Sequence, residues 1–191
     1  GNIAWGFATL KHADDTLFEA IASASMRRIS ELSLQNLSNI GWAFARVSVN
    51  RAEYVTRLFE TIGKEVSIQG SLVEQEQSIA NLVWGFAKVK VQSTPLMKLM
   101  ASNIGEVPFT MQGLANVAWA FAELQSQDSM LSSLLQAAVQ RFFDSNVAQE
   151  VSVKAVMSFS SALTTWQCLT PQVLERMEGI LVAAAARMED D

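Results

Sequence analysis

Apolar residues recur along this chain at steps of three and four. The clearest run is Leu114, Val117, Ala118, Phe121, Ala122 and Leu124, the i, i+3, i+4, i+7 rhythm of a helix with one buried side. A second kind of run follows it at Met130, Leu131, Leu134, Leu135, Ala138, Val139, Phe142 and Phe143. We call the first kind A and the second B; they alternate along the chain. Further B runs are Leu17/Phe18/Ile21/Ala22, Tyr54/Val55/Leu58/Phe59/Ile62, Leu96/Met97/Met100/Ile104 and Val173/Leu174/Met177/Ile180/Leu181. No strand-like alternation competes with these runs, so the pattern predicts an all-α chain.

The A runs are copies of one another. Asn2-Ile3-Ala4-Trp5-Gly6-Phe7-Ala8 returns as Asn39-Ile40-Gly41-Trp42-Ala43-Phe44-Ala45, then from Asn81 to Ala87 and from Asn116 to Ala122. The tryptophans are 37, 42 and 35 residues apart. A fifth, eroded copy falls around Val156 to Ser160, aligned to within one residue. In the first three repeats the first apolar B position, Leu17, Tyr54 or Leu96, lies 12 residues after the tryptophan, so the A–B turn has a fixed length. Start signals agree. Thr94-Pro95 and Thr170-Pro171 place a capping hydroxyl before a proline at the first helical position. Ser33 and Thr110 can cap A helices, and Asn50 with Glu53 has capping-box spacing. The B–A connection is longest from Ile68 to Gln77.

A single hairpin of this size cannot bury its apolar side alone and must stack on neighbours. We therefore expect a right-handed α-solenoid of about five helical hairpins of ~38 residues in one domain. The repeats span approximately 1–32, 33–70, 71–107, 108–147 and 148–191. The Trp and Phe of each motif are expected to fill the seams between helices, with the tryptophans largely buried. Aromatic rings can also stack on bases, but a Trp beside a Phe is read here as packing. The small residue after each Trp (Gly6, Ala43, Gly85, Ala120) is expected to let another helix approach closely. The sequence starts inside an A helix, at Gly1 rather than Met, so a longer parent array is expected.

Composition narrows the function. Half of the 191 residues are hydrophobic, rich enough for extensive burial. The longest apolar run, Ile180 to Ala186, is far too short to span a bilayer. Cys168 is the only cysteine and His12 the only histidine, which excludes an internal disulfide and any Cys- or His-cluster metal site. His12, beside Asp14 and Asp15, reads as a solvated turn residue. No cofactor motif, small-molecule substrate site or catalytic set is visible, so no enzymatic activity is expected. The net charge of −5 is uneven. Residues 1–100 hold ten basic and nine acidic side chains, whereas residues 101–191 hold four and ten. A strongly basic nucleic-acid footprint is absent, and an RNA partner would have to be gripped locally.

The A motif resembles the octotricopeptide-type helical repeats of organellar RNA-binding proteins. The similarity is to their L-A-N-x-x-W-A-[FL]-A-x-L core: Leu114 to Leu124 fits throughout, and Ile79 to Val89 and Leu37 to Val47 with small changes. Phe109-x-x-Gln112 resembles the family's F-x-x-Q lead-in. Related arrays precede RAP and FAST-type domains, and no RAP domain is visible here. The resemblance implies binding of single-stranded RNA in a mitochondrion or chloroplast, with roles in transcript stability, processing or translation. The acidic C-terminal half departs from the basic character usual in such proteins. A protein-interaction scaffold of the armadillo or tetratricopeptide kind is the alternative.

Comparison among the repeats separates scaffold from readout. Four residues before the motif Asn stands Gln35, Gln77 or Gln112, and three before it Asn36, Ser78 or Gly113. Seven after it stands Thr9, Arg46, Lys88 or Glu123. The last two sets vary and are candidates to meet a different group at each repeat; Arg46 and Lys88 suit phosphates and Glu123 does not. The repeated Asn39, Asn81 and Asn116, with Asn2, could bond a base or phosphate. Their invariance favours a structural role, tying one A helix to the next. Arg27, Arg28, Arg51, Arg57 and Lys64 lie on or beside B helices and read as a solvated outer face.

Overall fold

The computed structural model describes residues 1–47, 53–70, 75–103, 107, 109–124, 153–165 and 170–189. Among them all regular structure is helical. The A helices are α1 (Asn2–Thr9), α3 (Leu34–Val47), α5 (Glu76–Val89), α7 (Met111–Glu123) and α8 (Val153–Thr165). The B helices are α2 (Asp15–Arg27), α4 (Glu53–Gln69), α6 (Thr94–Asn103) and α9 (Pro171–Glu189). A short 3-10 turn, Ile29–Glu31, follows α2. The B run from Met130 to Phe143 lies outside the described residues, as does Asn50 of the expected capping box.

Side-chain oxygens start several helices by accepting from otherwise unpaired N–H groups. Asp14 accepts from Leu17 N at 2.7 Å, Ser33 from Asn36 N at 3.3 Å, Thr110 from Gly113 N at 3.1 Å and Thr170 from Val173 N at 3.3 Å. One expected cap moves by a residue. Ser93, rather than Thr94, accepts from Leu96 N at 3.4 Å, which leaves Thr94 as the first residue of α6. Ile68 and Gln69, expected in the connection, belong to α4. There Gln69 donates to Leu32 O at 2.8 Å, holding the end of α4 to the chain that enters α3. Helices α1 and α5 are both followed by a lysine in the left-handed region, Lys11 at φ 55° and Lys90 at φ 57°. In both, the next N–H closes back by five residues, His12 N to Phe7 O and Val91 N to Phe86 O, which satisfies carbonyls left open at the helix end.

The described residues form two compact units, Gly1–Val107 and Pro108–Asp191. In the first unit α3 packs against α1 on one side and α5 on the other, while α4 packs against α2 and α6. The motif phenylalanines bind successive hairpins together. Phe44 on α3 meets Phe18 of the preceding B helix edge-to-face at 5.0 Å, and Phe86 on α5 meets Phe59 in the same way at 4.9 Å. Such pairs add about 0.5–1.5 kcal/mol beyond their buried area. At Gly85 an added β-carbon would stand 3.2 Å from the Gly41 backbone, so α3 and α5 approach as closely as expected there. At Gly6 the same test finds open space. In the second unit α8 packs against α7 and α9. In the eroded copy Phe159 is buried, and Met157 two residues before it is exposed.

Candidate nucleic-acid interface

The expectation of largely buried tryptophans fails at Trp5, which is 48% exposed; Trp42, Trp84 and Trp119 are mostly covered but keep part of their surface in solvent. The buried aromatic of each complete motif copy from the second on is the phenylalanine two residues later: Phe44, Phe86 and Phe121 are at most 1% exposed. The helical period explains the split. Two residues turn the helix by about 200°, so Trp and Phe point to opposite sides. Each Trp instead shares a side with residues three before it and four after it. On α5 this gives the stripe Gln77, Asn81, Trp84 and Lys88; on α3 it gives Gln35, Asn39, Trp42 and Arg46. Every residue of these two stripes keeps contact with solvent.

The stripe has internal order. Gln77 Nε2 donates to Asn81 Oδ1 at 2.9 Å, and on α7 Gln112 Nε2 donates to Asn116 Oδ1 at 3.0 Å. These bonds run along one helix. A pair closed in this way still presents the Asn amide N–H groups and the Gln carbonyl oxygen. The Lys88 ammonium lies over the Trp84 ring, 5.8 Å from its centroid, within the range of a cation–π contact. Between α1 and α3 the Trp5 and Trp42 rings are 6.3 Å apart and tilted by 30°. Trp42 also rests against a small cluster of Ala4, Ala8 and Ala43, so one part of the indole packs while the rest is open.

The other candidates divide. Arg46, Lys88 and Glu123 are exposed at the C-terminal ends of their helices. Asn36 and Ser78 are partly buried, and the Asn36 amide donates to Ser33 Oγ at 3.0 Å. Gly113 is buried, with its N–H on the Thr110 cap, so it presents nothing to a partner. On the B side Arg27, Arg57 and Lys64 are exposed. Arg28 is held by Glu31, and this hydrogen bond and charge depress the Glu31 carboxyl below its usual range. Arg51 lies outside the described residues. His12 is exposed, with its ring 5.6 Å from that of Phe7.

Elsewhere, a groove of about 350 Å³ separates α8 from α9 and is lined by Val156, Met157, Leu174, Met177, Glu178 and Leu181, among others. The only charge in its lining is a carboxylate, which does not suit a polyanion. Among the described residues no group of three His, Cys, Asp or Glu is placed to hold a metal ion, and no helix is long and apolar enough to cross a membrane.

Comparison with models of known protein families finds no match to this chain, and comparison with curated proteins finds none either.

Proposed function

We propose that this chain is a non-catalytic RNA-binding module. Its helical hairpins would stack into an α-solenoid of about five repeats, with single-stranded RNA lying along the A-helix face. The observation that carries this reading is the solvent-facing stripe of amide, indole and cation on α3 and α5. A nucleotide offers three features to bind, a charged phosphate, a polar base edge and a flat base face, and the stripe holds a group suited to each. The side-by-side packing of α1, α3 and α5 supports the stacked arrangement. The resemblance to octotricopeptide-type repeats supports a role in organellar RNA stability, processing or translation.

The test is a double charge reversal, Arg46→Glu with Lys88→Glu, measured by fluorescence anisotropy against a random single-stranded RNA. Two phosphate contacts on a single strand give a log–log salt slope of about −1.4, at roughly 0.7 per contact. The reversal should abolish both the binding and this slope. The net acidity of residues 101–191 favours a second reading, a protein-interaction scaffold. That reading takes over if the unmodified chain fails to bind RNA at low salt.

A further inference from the structure

We propose that Trp42 and Trp84 stack on the bases of the bound strand, so that the module selects unpaired nucleotides rather than phosphate backbone alone. This rests on the RNA-binding reading and adds the mode of recognition.

The location of the indoles carries the inference. They lie off the apolar side of their helices, where Leu37, Ile40 and Phe44 on α3 and Ile79, Val83 and Phe86 on α5 form the core. Trp42 packs part of its ring on Ala4, Ala8 and Ala43 and leaves the rest open. Each indole is also set among groups suited to a base. Beside Trp84, the Gln77–Asn81 bond restrains two amides and leaves a donor and an acceptor for a base edge. Beyond it, Lys88 already rests on the ring. A base that takes the ring displaces this ammonium toward the neighbouring phosphate, coupling stacking to charge neutralisation within one repeat. At Trp42 the cation is Arg46, whose planar guanidinium can both meet phosphate and stack. Paired bases in a duplex bury their faces against one another and cannot offer them to an indole, so a platform of this kind discriminates against double strands.

The experiment uses the whole chain and three probes: a short random single-stranded RNA, an abasic strand of the same length, and an RNA duplex. Trp42→Ala and Trp84→Ala should each lower affinity for the single strand roughly ten-fold. The salt slope should hardly change, because no phosphate contact is removed. Trp42→Phe and Trp84→Phe, which keep a ring, should retain most of the affinity. The abasic strand and the duplex should bind the unmodified chain about as weakly as the RNA binds the double alanine variant. Tryptophan fluorescence should be quenched by RNA and not by the abasic strand. If the abasic strand binds as tightly as RNA, the tryptophans do not stack and the module holds backbone only, leaving the RNA-binding reading intact. If no strand binds at low salt, both readings fall together. Should an alanine variant lose helical content by circular dichroism, the phenylalanine variants and the abasic strand still decide.

Discussion

Trp84 and Phe86 stand two residues apart in one motif, share an aromatic character and recur together, yet they occupy opposite regions of the same helix. Phe86 is fully buried and meets Phe59 of the preceding hairpin, whereas Trp84 keeps part of its ring in solvent under Lys88. Gly85 between them lies against the backbone of α3. Three consecutive residues thus face three surroundings: solvent, a neighbouring A helix and the core. Repetition within an array therefore has more than one cause. Phe44 and Phe86 each lock their hairpin to the one before it, through Phe18 and Phe59. The tryptophan recurs beside that core, where Trp42 packs part of its ring on Ala4 and Ala8 of the neighbouring A helix and leaves the rest open.

The largest effect should come from the core side. Phe86→Ala removes a fully buried ring and its partner contact, and such truncations cost about 3–5 kcal/mol. Urea unfolding should show a loss of that order, and Trp84→Ala in the same helix should lose only about 1 kcal/mol, in keeping with a part-exposed position. Equal losses at the two positions would erase the distinction between the buried and exposed rows.

Between these two lies Gly85. A β-carbon added there would stand 3.2 Å from the Gly41 carbonyl group, and backbone cannot swing aside as a side chain can. Gly85→Val should therefore push α3 and α5 apart at a cost of about 1–3 kcal/mol, the usual range for overpacking. Gly6→Val, at the same motif position in open space, should cost less, set mainly by helix propensity. Thermal melts of the two variants sharpen the comparison, because they test whether the small residue serves the same purpose in every repeat. Identical melting shifts would show that it does not act through helix approach.

The division into rows was partly legible in the sequence. The apolar positions of the fourth copy, Leu114, Val117, Ala118, Phe121, Ala122 and Leu124, are all buried as their spacing requires. Trp119 was absent from that rhythm. Assigning it to the core followed residue type, while the period already pointed outward. A large ring can satisfy both tendencies by packing one part and exposing another, as Trp42 does over Ala4 and Ala8, and hydrophobicity alone does not reveal this. The Gln-to-Asn bond was legible as an i, i+4 spacing but not as a bond, since choosing between a partner on the same helix and one on the next depends on rotamers. The shift of a cap from Thr94 to Ser93 has the same origin: two adjacent hydroxyls satisfy the sequence rule, and tertiary contact selects one. Gly63 of α4 packs on Ser93, with an added β-carbon 2.9 Å from Ser93 Cβ, which favours a cap at that residue.

The smallest effect concerns the ends of the A helices. Lys11 and Lys90 each stand six residues after a motif tryptophan, and both adopt a left-handed backbone. A residue with a β-carbon is about 1–2 kcal/mol less stable there than in the ordinary helical region. Glycine escapes that strain, although its greater freedom in the unfolded chain offsets about 0.5–1 kcal/mol. Lys90→Gly should therefore stabilise the protein by roughly 0.5–1 kcal/mol. A change of that size raises the melting temperature by about 1–4 °C in a chain of this length. Such a gain would set Lys90 beside Trp84 as a residue that the fold alone does not select, and would extend the exposed row past the end of α5. A lower melting temperature would instead show that contacts of the lysine side chain outweigh the backbone strain, making Lys90 part of the scaffold with Phe86.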